Sequence, residues 1–205
     1  MLRIDGSDGG SISHHRDVPY HILERKYSFD ENGQMAENNG SDNMIIHADN
    51  LVALKSLLPK YEGKIKCIYI DPPYNTGNEG WVYNDNVNDP KISKWLGDVV
   101  GKEGEDLSRH DKWLCMMYPR LRLLQKLLSE DGAIYISIGD DEVSSLRFIC
   151  NEIFGETNFV DTIIWQKIYT IKNSAKYFSG MHDYIVIYAK NKVSYHRNLF
   201  PRTEE

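Results

Sequence analysis

The sequence is poor in cysteine and has no long hydrophobic run. Its three cysteines, Cys67, Cys115 and Cys150, stand singly with no C-x-x-C pair, which argues against a zinc site or a disulfide scaffold and favours buried, reduced thiols. No apolar stretch approaches the roughly 20 residues that a membrane-spanning helix needs, and residues 1–20 lack the apolar core of a signal peptide. We therefore expect a cytoplasmic protein with no metal site and no membrane partner.

The chain also lacks the excess of positive charge that is typical of nucleic-acid-binding proteins. Its 24 Lys and Arg residues are outnumbered by 30 Asp and Glu residues, giving a formal net charge of −6. A protein with this charge has no overall attraction for a polyanion. Residues 161–205 differ, with seven Lys and Arg against four Asp and Glu. A surface that binds nucleic acid should therefore lie in this part of the chain or outside the chain.

Length and composition favour a single folded domain. The 205 residues are 41% hydrophobic and 26% charged, as in ordinary globular proteins. Residues 1–43 are rich in small polar side chains, and we expect a loose arm there, with regular structure beginning at Met44. The main domain is expected over residues 44–191, followed by a tail over residues 192–205.

The order of the hydrophobic patterns predicts an α/β fold. Three strand patterns are each followed by a helical pattern, and two further strand patterns come last. This order is typical of a mostly parallel sheet, here with an antiparallel strand near the C-terminus. The predicted strands are residues 44–47, 66–70, 133–138, 159–166 and 183–189, and the predicted helices are residues 51–58, 113–128 and 143–154.

Several residues at the ends of these elements have a predicted local role. Asp49 is expected to cap the first helix, and Gly132 to end the second. The acidic residues 140–142 are interpreted as charges that complement the dipole of the third helix, and His110 as a solvated side chain.

One short stretch carries the chemistry, Asp71-Pro72-Pro73-Tyr74-Asn75-Thr76-Gly77, directly after an apolar strand. Ligands of open α/β sheets bind at the carboxyl ends of strands, and the two prolines hold the backbone rigid as it leaves the sheet. The Asp71 carboxylate and the Pro72 carbonyl offer two hydrogen-bond acceptors, and Tyr74 offers a flat ring. These groups suit a planar aromatic amine whose nitrogen attacks an electrophilic methyl group held in line.

The stretch resembles the catalytic motif of amino methyltransferases, which transfer a methyl group from S-adenosylmethionine to the exocyclic nitrogen of adenine in DNA. Together with longer strings at residues 47–59, 113–121 and 182–191, it is similar to the site-specific DNA adenine-N6 methyltransferases of the permuted (beta) class, of the type III restriction-modification Mod subunit kind. The resemblance runs from about residue 20 to residue 191. It implies the N-terminal catalytic half of a Rossmann-like, S-adenosylmethionine-dependent fold.

The resemblance implies roles for individual residues at the target base. Asp71 and the carbonyl of Pro72 would bind the amine, and Tyr74 would stack on the base. Phe178 is our candidate for the opposite face of the base, although a packed aromatic side chain is the alternative at that position. Because the amine is unreachable inside a stacked duplex, the implied partner is double-stranded DNA with a flipped adenine.

The resemblance also implies residues for the cofactor. Asp49, with its neighbour Asn50, matches the acidic position that holds the adenosine of S-adenosylmethionine, and Asp71 would border the same pocket. For Asp49 the alternative is the N-cap alone, and both roles are compatible.

The glycine-rich Phe-x-Gly-x-Gly cofactor loop of the family is absent from the sequence. Residues 97–103 superficially resemble a phosphate loop, but they are one spacer residue short and have Glu103 where Ser or Thr belongs. We therefore expect a truncated methylase half that is weakly active or inactive alone and whose tail leads to an absent recognition region. Its candidate partners are a complementing methylase half and a restriction subunit.

Two other functions stay open. A methylase acting on RNA or on a protein side-chain amide uses the same acceptor geometry, although Asp rather than Asn at position 71 disfavours it. A non-catalytic remnant would keep the fold without turnover.

Overall fold

The computed structural model describes residues 21–76, 109–170 and 180–198. The predicted α/β class is confirmed, with helices and strands alternating through most of these residues. The elements in chain order are β1 (Ser28–Asp30), β2 (Gly33–Met35), α1 (Asn50–Tyr61), β3 (Ile65–Ile70), α2 (Arg109–Leu127), β4 (Leu128–Ile138), α3 (Val143–Phe154), a short 3-10 helix (Glu156–Asn158), β5 (Phe159–Gln166) and β6 (His182–Ala189).

The main sheet has four strands in the order β3-β4-β6-β5. Strand β4 is parallel to β3, whereas β6 is antiparallel to both β4 and β5. Three strands therefore run in one direction and β6 runs in the other, which confirms the expected mostly parallel sheet with an antiparallel strand near the C-terminus. As a result, the carboxyl ends of β3, β4 and β5 meet the amino end of β6 along one border of the sheet, which we call the carboxyl edge.

The hydrophobic core lies between one face of the sheet and helices α2 and α3. Alternate residues of β4 and β6 point into it, because successive side chains of a strand face opposite sides. Helix α1 packs beside α2, with Leu51 buried and Leu54 against the core. Fully buried core side chains include Trp113, Leu121, Leu123, Leu128, Ile134, Ile136, Ile138, Leu146, Val186 and Tyr188.

The strand predicted at residues 44–47 is wrong. These residues form no regular element, and Ile45 is 95% exposed while Met44 is 52% exposed. Within the described ranges no strand pairs with them. A short apolar segment forms a strand only where a neighbouring strand hydrogen-bonds to its backbone N–H and C=O groups. The apolar pattern was therefore insufficient to predict a strand here.

The prediction that Gly132 ends the second helix is also wrong. Helix α2 ends at Leu127, where Gly63 and Lys64 donate their backbone N–H groups to its last carbonyls, and strand β4 begins at once. Gly132 lies inside β4, where an added Cβ would come within 2.6 Å of the carbonyl oxygen of Ile65. Close approach of β3 and β4 explains this glycine.

Residues 21–43 contain more structure than a loose arm. Strands β1 and β2 pair as a small antiparallel hairpin, so within the described residues regular structure begins at Ser28 and not at Met44. The cysteines are free, as predicted, but Cys150 is the buried one and Cys67 is exposed. Burial raises the pKa of the Cys150 thiol, which keeps it protonated and unreactive. None of the described helices combines the length and the apolarity needed to cross a membrane.

Candidate active site

The Asp71-Pro72-Pro73-Tyr74 stretch forms a corner where β3 leaves the sheet, at the carboxyl edge. Asp71 is exposed and Tyr74 is partly buried. Burial, followed by the negative charges of Asp71 and Asp183 and a side-chain hydrogen bond with Asp71, raises the pKa of Tyr74 to about 12. The Asp71 carboxylate and the Tyr74 hydroxyl are therefore close enough to interact, with Asp71 exposed and Tyr74 partly buried.

The Tyr74 ring rests on the backbone at the end of the neighbouring strand β4. A Cβ added to Gly139 would lie 3.1 Å from Cδ2 of Tyr74 and 3.7 Å from Oδ1 of Asp183. Only a residue without a side chain lets the ring come this close. Gly139 thus forms the floor under the Tyr74 ring.

Helix α2 fixes the corner from behind. The indole Nε1 of Trp113 donates a hydrogen bond to the carbonyl oxygen of Pro73, at 2.7 Å. Trp113 is fully buried, so this bond satisfies a donor that would otherwise be stranded in the core. The corner is therefore anchored to the core through its own backbone.

A buried carboxyl group lies behind Asn75, the residue that follows the corner. Glu142 is fully buried, and its Oε1 accepts a hydrogen bond from Nδ2 of Asn75 and pairs with Nδ1 of His110 at 2.7 Å. Its second oxygen, Oε2, is buried and has no hydrogen-bond partner in the described part of the chain. The interpretation of residues 140–142 as helix-dipole charges is therefore wrong for Glu142, and His110 is not simply solvated.

Polar side chains from β6 complete the rim of the edge. Lys167 pairs with Asp183 at 2.6 Å, beside the Tyr74 ring. The hydroxyl of Tyr184 donates to Asp140 at 2.7 Å, and this bond is the first cause of the raised pKa of Tyr184. His182 lies 3.0 Å from the same hydroxyl.

The residues predicted at the cofactor lie at the start of helix α1. The Asp49 carboxylate caps this helix, with Oδ1 accepting from the backbone N–H groups of Leu51 at 2.9 Å and Val52 at 3.2 Å. The predicted N-cap is confirmed. Asn50 accepts a hydrogen bond from Nε of Arg120 at 2.7 Å. Asp49 and Asn50 have no direct bond to Asp71 among the described contacts.

Phe178, predicted at the base, lies outside the described residues. Sequence reasoning missed Glu142, Gly139 and Trp113. A usable signal existed, because an acidic run directly after β4 must reach the same edge as an acidic residue directly after β3. In the described ranges no group of three or more His, Cys, Asp or Glu side chains is arranged to hold a metal ion.

Comparison with known proteins gives a family match over most of the chain. The family described as DNA methylase matches residues 65–203. The chain is 40% identical over 171 residues to the Mod subunit of the type III restriction-modification enzyme EcoP15I of Escherichia coli, and 42% identical over 176 residues to the EcoPI Mod subunit of Escherichia phage P1. Each alignment covers 78% of this chain and 26% of the relative.

A type II methyltransferase, M.KpnI of Klebsiella pneumoniae, is 31% identical over 169 residues, covering 82% of this chain and 37% of the relative. The chain thus spans about a quarter of the length of the Mod subunits that it matches.

Proposed function

The chain belongs to the DNA methylase family, and from this premise we propose that it carries the catalytic corner of a site-specific DNA adenine-N6 methyltransferase that uses S-adenosylmethionine. The sheet, with β6 antiparallel between β4 and β5, fits an incomplete Rossmann-like methyltransferase fold. The observation that carries the proposal is the geometry of the corner, with Asp71 exposed at the end of β3 and the Tyr74 ring lying against Gly139 at the carboxyl edge.

The corner provides the groups that amine methylation needs. The Asp71 carboxylate and the Pro72 carbonyl would accept the two hydrogens of the adenine amine, which makes the nitrogen lone pair available for attack. Tyr74 would stack on the base, and its raised pKa keeps the phenol neutral at physiological pH. The proton lost by the amine would leave through the exposed Asp71 carboxylate to solvent.

S-adenosylmethionine, when bound, supplies the electrophilic methyl group. The described residues fit this cofactor in part. Asp49 is exposed, and its two capping bonds use the same oxygen, Oδ1, so that Oδ2 can accept a ribose hydroxyl. Asp71 would supply a second carboxylate to the same pocket. The sequence contains no glycine-rich cofactor loop, so the remaining contacts would come from another segment.

The proposed substrate is an adenine flipped out of duplex DNA, with Phe178 closing its second face. Since the chain carries a net charge of −6, most of the attraction for the DNA backbone would come from the relatively basic residues 161–205 or from a further segment. A restriction subunit and a complementing methylase half are the proposed partners, and the cytoplasm is the proposed location. The proposed domain organisation has three parts: an arm over residues 1–43, the catalytic unit over residues 44–191 and a tail over residues 192–205.

Transfer of a radiolabelled methyl group tests this function directly. The protein, together with the complementing methylase half proposed above, is incubated with labelled S-adenosylmethionine and, in separate reactions, unmethylated genomic DNA, total RNA and cell protein. Asp71→Ala is compared with Asp161→Ala, which removes an exposed carboxylate from β5 whose bond is to the neighbouring Thr162 N–H. The modified nucleoside is then identified by mass spectrometry.

We expect N6-methyladenine in DNA, no transfer by Asp71→Ala, and a normal rate for Asp161→Ala. Label in RNA or protein alone would favour the amide or RNA methylase. The absence of transfer to every substrate, with S-adenosylmethionine bound, would favour the non-catalytic remnant. Equal rates for Asp71→Ala and the parent would show that the chemistry lies elsewhere.

A further inference from the structure

We propose that Glu142 is a positioning residue, which holds the catalytic corner in place through Asn75 and His110. The inference rests on the proposed methyl transfer, since it assigns the part of the structure that aligns Asp71 and Tyr74 for that reaction. Glu142 touches neither of these residues and acts through the backbone that follows Tyr74.

The orientation of the Glu142 side chain is the first observation. Glu142 directly precedes helix α3, where an acidic residue commonly caps the helix or complements its dipole. Its side chain makes no capping hydrogen bond, and it is fully buried. It is directed instead to Asn75, which lies 67 residues earlier in the chain, and to His110, which lies 32 residues earlier. Its contacts are therefore tertiary, not local to the helix.

The energetic cost of this arrangement is the second observation. Oε1 is shared by two donors, while Oε2 is buried without a partner in the described ranges. A buried polar atom without a hydrogen-bond partner destabilises the folded state, so a carboxyl group is a poor choice for stability alone. Sites that break such a rule are commonly functional.

The backbone of Asn75 is the third observation. Its φ of 58° lies in the left-handed region, and it is the only non-glycine residue with a positive φ in the described ranges. Asparagine tolerates this conformation better than most residues, but the conformation persists only where the surroundings enforce it. The hydrogen bond to Glu142 holds the side chain of Asn75, which is itself 4% exposed. The turn directly after Tyr74 is thereby fixed.

Helix α2 contributes a second restraint to the same group. His110 and Trp113 lie three residues apart near the start of this helix, so they share one face. His110 pairs with Glu142, while Trp113 donates to the carbonyl of Pro73. The corner is therefore held on both sides of Tyr74, by Trp113 before it and by Glu142 after it. Loss of Glu142 would free one side only, so the fold should survive while the alignment suffers.

The test uses two disruptive variants and two controls in the intact protein. Glu142→Met keeps the side-chain length and removes both acceptors, and Asn75→Gly removes the other end of the bond while suiting a positive φ. Glu142→Gln keeps one acceptor oxygen and is the conservative variant. Glu152→Met removes an exposed carboxylate of the same helix, which accepts a hydrogen bond from Tyr118.

Two measurements are made on each variant. The first is kcat and KM for methyl transfer to unmethylated genomic DNA. The second is the amide resonance of Gly139 in protein labelled with 15N-glycine, which has only 15 glycines to resolve. Because the Tyr74 ring lies against Gly139, its ring current makes this resonance a reporter of the corner that does not depend on activity.

A misplacement of about 1 Å costs roughly 100-fold in rate, so we expect Glu142→Met and Asn75→Gly to lower kcat by about 10- to 100-fold. KM for DNA should stay within about threefold, and the Gly139 resonance should move. Glu142→Gln and Glu152→Met should resemble the parent in both measurements.

An unmoved Gly139 resonance in both disruptive variants would overturn the positioning role, and so would a kcat for Glu142→Met within twofold of the parent. If the parent itself transfers no methyl group, the proposed function fails, and the resonance alone then decides whether Glu142 holds the corner.

Discussion

Replacing Gly139 with alanine should push the Tyr74 ring off its floor. The added Cβ would lie 3.1 Å from Cδ2 of Tyr74, whereas carbon atoms prefer a separation of about 3.5–4.0 Å. The ring must therefore give way by a few tenths of an ångström. With a penalty of roughly 100-fold per ångström of misplacement, this retreat predicts a loss of about 3- to 10-fold in kcat. The cost in stability should be near 1 kcal/mol, the low end for overpacking, because Tyr74 is only partly buried.

The assay is methyl transfer to unmethylated DNA at saturating cofactor, with urea unfolding measured in parallel. Gly180→Ala is the matched control, since an added Cβ at Gly180 meets nothing within 4 Å. If the effect of Gly139→Ala passes through the ring, it should vanish in a Tyr74→Ala background, because the two changes then remove the same contact. A Gly139→Ala rate within twofold of the parent, or full additivity with Tyr74→Ala, would refute the role of the floor.

Two further predictions follow from single side chains. Asp49→Ala should lower the free energy of unfolding by about 1 kcal/mol, because the helix cap is lost. Asp49→Asn should keep the stability and weaken the binding of S-adenosylmethionine, measured by calorimetry. Unchanged affinity in Asp49→Asn would show that Asp49 is a cap alone. The pKa of Tyr74 is raised from 10.0 to about 12, so its contribution to stability is present below pH 10 and is lost as the pH rises to 12. Relative to Tyr74→Phe, the parent should therefore lose stability only in that window in urea unfolding, and a constant difference would contradict the raised pKa.

The strands and helices with strong local patterns were predictable from the sequence. Strands β3, β5 and β6 and helices α2 and α3 were each found within a few residues of their predicted bounds, because their apolar spacing and flanking residues agree. Residues 44–47 have an equally apolar pattern, but strand formation depends on a partner that the pattern does not show. The predicted start of β4 was wrong for a related reason. The strand begins at Leu128 because this residue pairs with Ile65, which the sequence pattern does not show.

The position of the Asp71–Tyr74 corner was predictable, and the residues that support it were not. Asp71 and Tyr74 stand together in the sequence, and the strand before them places both at the carboxyl edge. Glu142 depends on Asn75 and His110, which are distant in sequence, so its burial is a property of the tertiary structure. An acidic residue directly before a helix is more simply explained as a helix cap. The tertiary hydrogen bonds of Glu142 contradict that explanation.

The placement of β6 between β4 and β5 has a consequence for how such proteins diversify. Strand β5 ends and β6 begins on the same border, and the backbone N–H groups of Lys167 and Ile168 bond to the carbonyl of Met181 at the base of their connection. These backbone hydrogen bonds hold both ends of the connection between β5 and β6 together, whatever sequence lies between them. The sequence between β5 and β6 can therefore change while the pairing of the two strands is kept.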